Sequence, residues 1–173
     1  MQAFVLAIEP LANIIRQSRS PTPVVIPNQQ PKMASQCAND INIVSSRAKD
    51  YNEVRKLNTV FEAGAGAKLN ADKTEILLVG RWKPEDRNIL PNANIKSNIK
   101  ILGVWFGPNA AQLNKETILQ KIDRVIDFWR NIPMSFTGKK FIISSKILSQ
   151  LYHVTQVTGM DADLHKQVQK RIT

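Results

Sequence analysis

An α+β fold is predicted for this 173-residue chain, and three observations carry that prediction. Short apolar runs, Met33 to Cys37 and Ile41 to Val44, flank the polar tip Ala38-Asn39-Asp40, which is the pattern of a β-hairpin. Two further apolar runs, Ile76 to Val79 and Ile99 to Phe106, are short enough for strands. The last third changes to apolar positions three and four residues apart, the period of helices packed on one face.

From the N-terminus, Phe4, Leu6 to Ile8, Leu11 and Ile14 to Ile15 predict a largely buried helix over Phe4 to Arg16. Its apolar start lacks a basic leader and meets Glu9 and Pro10 too early for a signal peptide. A helix of this kind needs a core to pack against, so an upstream half is expected. Pro21, Pro23, Pro27 and Pro31 break any helix and leave a loop with one short strand at Val24 to Ile26. After the hairpin, Val54, Leu57, Val60 and Phe61 mark an amphipathic helix from Asp50 to Ala63 with Gly64 as its stop.

The strand at Ile76 to Val79 is followed by a polar, proline-punctuated loop and a second strand bent at Gly103. Ile118, Ile122, Val125, Ile126 and Trp129 then predict one helix, Phe141 through Leu151 after Gly138 another, and Asp163 to Ile172 after Asp161 a third. Two regions follow: residues 1–109 with the hairpins, and residues 110–173 made of helices.

Charge narrows the function. Twenty-four Lys and Arg against 14 Asp and Glu give a formal charge of +10 and a pI near 10.0, which favours a polyanionic partner. Residues 1–63 carry 7 basic and 5 acidic side chains, residues 64–109 carry 7 and 4, and residues 110–173 carry 10 and 5. The positive field therefore grows toward the C-terminus. Cys37 is the only cysteine, which excludes an intramolecular disulfide and a Cys-rich zinc site. His153 and His165 have no Ser or carboxylate at a triad-like spacing. Gly64-Ala65-Gly66 follows a helix and lacks the third glycine of a dinucleotide loop. No stretch reaches the roughly 18 apolar residues that a membrane span needs.

Five blocks in order carry a family resemblance: Phe4 to Ala12; Gln36-Cys37-Ala38-Asn39-Asp40; Gly66 to Asn70 with Lys73-Thr74-Glu75; Ile99 to Gly107; and Trp129 with Ser135-Phe136-Thr137-Gly138-Lys139. Together they resemble the reverse transcriptase of LINE-type, non-LTR retrotransposons over nearly the whole chain. The resemblance implies the C-terminal part of a right-hand polymerase palm, with a primer-grip hairpin at Ile99 to Gly107, followed by a helical thumb from Gln112 onward. It implies an RNA template and a DNA primer as partners, with fingers and N-terminal palm supplied elsewhere in a full-length protein.

Polymerisation of that kind uses Mg2+ or Mn2+ held by clustered carboxylates. The catalytic hairpin of the family usually reads aromatic, Ala, Asp, Asp. Here Cys37 replaces the aromatic and Asn39 the first aspartate, so a neutral amide stands where a hard cation wants charge. Asp40 is the remaining metal candidate. The family's other metal-binding aspartate lies upstream of the Phe4 block, where this chain has no room for it, so independent polymerase activity is not expected. Lys73 matches a palm lysine thought to approach the leaving pyrophosphate; its competing reading is a solvated loop lysine. Trp105 and Phe106 match the primer grip, with a core role as the alternative. Lys115, Lys121, Arg124, Arg130, Lys139 and Lys140 are candidate phosphate contacts on or beside the thumb-like helices. A non-catalytic nucleic-acid-binding protein, or the product of a decayed element, is the alternative function.

Overall fold

A computed structural model describes residues 2–18, 22–25, 34–37, 40–47, 49–80 and 93–172. The architecture is α+β, with small two-stranded sheets and several helices. The chain divides into two compact units, Met1–Lys96 and Ser97–Thr173.

The first unit begins with helix α1, Gln2–Gln17, which runs through Pro10. Its buried residues Leu11 and Ile15 lie one turn apart, as a single apolar face requires. They pack against Ala34, Ile41 and Ile43 of a hairpin and against Leu57 and Phe61 of the next helix. The hairpin pairs β1, Ala34–Cys37, with β2, Asp40–Ile43, antiparallel, with Ala34 opposite Ile43 and Cys37 opposite Asp40. Strand alternation therefore puts Ala34, Ile41 and Ile43 toward α1, and puts Cys37 and Asp40 on the outward face. Val24 forms an isolated bridge, while Ile26, the end of the strand expected there, lies outside the described residues.

Helix α2 spans Asp50–Ala65, two residues beyond its expected end. Gly64 continues the helix, and Gly66, at φ +67°, closes it by donating its N–H to Glu62 O at 3.0 Å. The Glu62 side chain accepts from Leu69 N at 2.5 Å, fastening the next segment to the helix end. At the other end, Asp50 is 1% exposed and its Oδ2 accepts from Thr22 N at 2.7 Å and Ser45 Oγ at 2.5 Å. Burial alone would raise the pKa of Asp50; those two hydrogen bonds, with Arg47 and Lys49 nearby, outweigh it and hold the carboxyl below its ordinary value. A 3₁₀ turn over Ala71–Lys73 precedes β3, Ile76–Leu77. This strand is shorter than the run Ile76 to Val79 and pairs in parallel with β4, Ile95–Lys96.

The second unit opens with another hairpin, so the run Ile99 to Phe106 is two strands and not one bent strand. Strand β5, Ile99–Ile101, pairs antiparallel with β6, Val104–Phe106. Leu102 at φ +49° and Gly103 at φ +89° form the two-residue connection, whose positive φ angles suit the strand twist. The hairpin thus belongs to the same compact unit as the helices that follow it.

Helix α3 covers Ala110–Arg130 and buries Asn114, Ile118, Leu119 and Ile122. A helical rod follows: α4, Phe136–Ile142, a π-helical stretch, Ile143–Leu148, and α5, Ser149–Thr158. Ser144 and Ser145 hydroxyls both donate to Phe141 O, at 3.2 and 2.7 Å, where the rod widens. Helix α6, Ala162–Ile172, is started by Asp161, whose Oδ1 accepts from Leu164 N at 2.5 Å. Val104, Ile118, Ile122, Ile147, Leu151, Val154, Leu164 and Val168 form the shared core, and each is nearly inaccessible to water. Removing such side chains from water contributes about 1.5–3 kcal/mol apiece, which is what holds four short elements around α3.

Candidate nucleic-acid interface

The residues expected to carry polymerase chemistry are in the first unit. Asp40 is exposed at the start of β2 opposite the exposed Cys37; Asn39 lies outside the described residues. Lys73 is exposed at the end of the 3₁₀ turn, where its backbone N–H donates to Asn70 Oδ1 at 3.1 Å. Asn70 thus caps the loop through its side chain, as Asn does at turns. No hydrogen bond or ion pair joins Asp40 to Lys73 among the described residues. Nor, among them, do three His, Cys, Asp or Glu side chains gather as a metal-ligand set. A two-metal centre needs several convergent carboxylates, so the described donor set does not fit one.

The second unit organises its candidates differently. Buried Asn114 accepts from Trp105 N at 2.8 Å through Oδ1 and donates to Trp105 O at 2.9 Å through Nδ2. It takes the place of a neighbouring strand residue and fixes β6 against α3. At the hairpin tip, His153 Nε2 donates to Leu102 O at 2.8 Å. At its base, Gly107 adopts φ +137°, and a Cβ there would fall 2.4 Å from Asn98 Oδ1 and Ser97 O. Only a residue without a side chain fits that approach.

With the hairpin so held, the half-buried Trp105 donates its indole N–H to Thr117 Oγ1 at 3.2 Å, and Lys100 Nζ stands 5.5 Å from the ring centroid. Phe106 turns the other way and packs against the core. Thr117 begins a row along α3: Thr117, Lys121, Arg124 and Phe128, at spacings of four, three and four, share one face. Neither Lys121 nor Arg124 has an acidic partner among the described residues. As a like-charged pair three residues apart they cost the helix about 0.2–0.5 kcal/mol.

One residue earlier at each step runs a second row, Glu116, Gln120, Asp123 and Asp127, about 100° around the helix. Its acids are engaged elsewhere: Glu116 accepts from Gln112 Nε2 at 2.6 Å, Asp123 from Arg171 Nε at 2.7 Å, and Asp127 pairs with Arg130 at 3.7 Å. The helix thereby separates its charges, and among the described residues no acid neutralises the basic row.

The remaining candidates divide. Lys115 is bound to Asp163 of α6, a contact that raises the lysine pKa and lowers that of the aspartate. Arg130 shares its charge with Asp127. Lys139 and Lys140 are exposed on α4, near the helix start that Ser135 caps by accepting from Gly138 N at 3.2 Å. Lys100, Thr117 and Phe128 were not singled out from sequence. The four-three-four spacing that ends in Phe128 was the available signal, but an aromatic on a helix reads first as core.

No family model matches the chain. It is similar to the "Transposon TX1 uncharacterized 149 kDa protein" of Xenopus laevis, at 22% identity over 184 residues. The match takes in 99% of the chain and 14% of that protein's length. None of the described helices is long and apolar enough to cross a membrane.

Proposed function

We propose that the chain is a fragment of a LINE-type retrotransposon reverse transcriptase that binds nucleic acid and does not polymerise on its own. The observation that carries the binding role is the basic row of α3, continuous with Lys100 and Trp105, whose Lys121 and Arg124 have no acidic partner among the described residues. Such a row contacts phosphates without reading sequence. Descent is supported by the order of the five sequence blocks and by the similarity to a transposon protein. Loss of catalysis is supported by Asn39, a neutral donor where the family places a carboxylate. In this reading residues 97–107 descend from the primer grip and α3 to α6 from the thumb, with RNA template and DNA primer as the ancestral partners.

Two measurements test the proposal. Binding to a fluorescent oligonucleotide should weaken steeply with salt, because counterion release from phosphates dominates; no binding at low salt would remove the reading. Primer extension on an RNA template with Mg2+ or Mn2+ should not exceed that of an Asp40→Ala chain. Incorporation above that control would show a working polymerase.

A further inference from the structure

The last residue of the basic row is an aromatic that the protein leaves in water. Phe128 is 68% exposed, although a phenyl ring on a helix beside a core normally turns inward. Trp129 packs against it at nearly a right angle, with ring centroids 5.2 Å apart and planes at 80°, which braces the ring while most of the residue stays open to solvent. Four residues before it is Arg124 and seven before it is Lys121, and from Thr117 to Phe128 the row is about 16 Å long. A second aromatic, Trp105, lies at the other end under Lys100.

Cations that follow a backbone, interleaved with an open aromatic face, suit a strand whose bases are unstacked, because a base inside a duplex has no face free to offer. We infer that this face binds single-stranded nucleic acid, with phosphates on Lys100, Lys121 and Arg124 and one base stacked on Phe128. The inference rests on the reading of the α3 row as a nucleic-acid face and adds to it the form of the ligand. It also explains why two like charges and an exposed ring are kept on one helix face: a stacked, anionic strand covers all three.

Anisotropy titrations of the full chain with a 12-nucleotide oligo-dU and with a 12-base-pair duplex, at equal low salt, test it. Single strand should bind tighter than duplex. Phe128→Leu, which keeps an apolar side chain on an exposed site and so preserves the fold, should weaken the single-strand complex about tenfold, leaving duplex binding within about twofold. Lys121→Gln with Arg124→Gln should weaken both ligands. Equal affinity for the two forms, or no effect of Phe128→Leu on the single strand, overturns the stacking inference while leaving phosphate binding in place. Absence of binding to either form overturns the proposed function itself.

Discussion

Asn114 grips Trp105 by both of its backbone polar groups, accepting the N–H at 2.8 Å and donating to the carbonyl at 2.9 Å. A single 3%-exposed amide thus fixes the position of β6 on α3, and with it the indole that begins the basic row. Few side chains can supply a donor and an acceptor at that separation.

Asn114→Ala should therefore cost the second unit about 2 kcal/mol, since it strands two backbone groups that the fold shields from water. Urea unfolding followed by circular dichroism measures it. A loss below about 0.5 kcal/mol would mean that water replaces the amide without penalty. Asn114→Asp should fall between, because a carboxylate accepts from the N–H but cannot donate to the carbonyl.

At Gly107 the arithmetic is steric. Alanine would put a Cβ 2.4 Å from two oxygens at φ +137°, so Gly107→Ala should destabilise by about 2 kcal/mol or more. Thermal unfolding compared with Gly64→Ala, where nothing lies within 4 Å, separates the close approach from a general effect of replacing glycine.

Leu102 offers the opposite opportunity. At φ +49° it occupies backbone that a branched side chain resists, at a cost of about 1 kcal/mol. Leu102→Asn should stabilise the hairpin by about 0.5 kcal/mol, because Asn tolerates that region and residue 102 is half exposed. A lower melting temperature in the variant would contradict this.

The pH dependence turns on Asp50. Its folded pKa is below the ordinary value of 3.8, so its contribution is fully present above that value and is lost as pH falls through the lower folded pKa. The melting temperature should fall on going from pH 6 to pH 3, and the fall should be shallower in Asp50→Asn. An unchanged slope in the variant would show that other carboxylates govern acid unfolding.

If the α3 face binds nucleic acid as proposed, ion pairing decides which cations matter. Lys115→Ala should leave nucleic-acid affinity within about twofold, since that ammonium is already held by Asp163. Lys121→Gln should lower affinity, and should reduce the slope of log affinity against log salt by about 0.7 to 0.9, the share of one phosphate contact. Equal losses from the two variants would contradict the division read from the ion pairs.

The α+β class, the hairpin at residues 34–43 and the positions of the long helices were legible in the sequence because each rests on local periodicity. The helix starting after Asp161 was legible for the same reason, a short-range cap. The end of α2 was not, because Gly64 and Gly66 are both plausible stops and the choice fell to the Glu62 carbonyl that Gly66 reaches. Apolar patterning alone reads 99–106 as one bent strand, whereas the resemblance implied a hairpin; it is a hairpin because Leu102 accepts a left-handed conformation, one that propensity disfavours and that the His153 hydrogen bond supports.

By itself the sequence determined the fold class and the excess of positive charge toward the C-terminus. Those depend on composition and on neighbours along the chain. Only the tertiary structure decided which cations remain available. Lys115 meets an acid 48 residues away, Arg171 reaches back to Asp123, and Lys121 and Arg124 meet none among the described residues. Counting charges along a chain cannot distinguish these cases, because neutralisation depends on distance in space, and folding sets that distance.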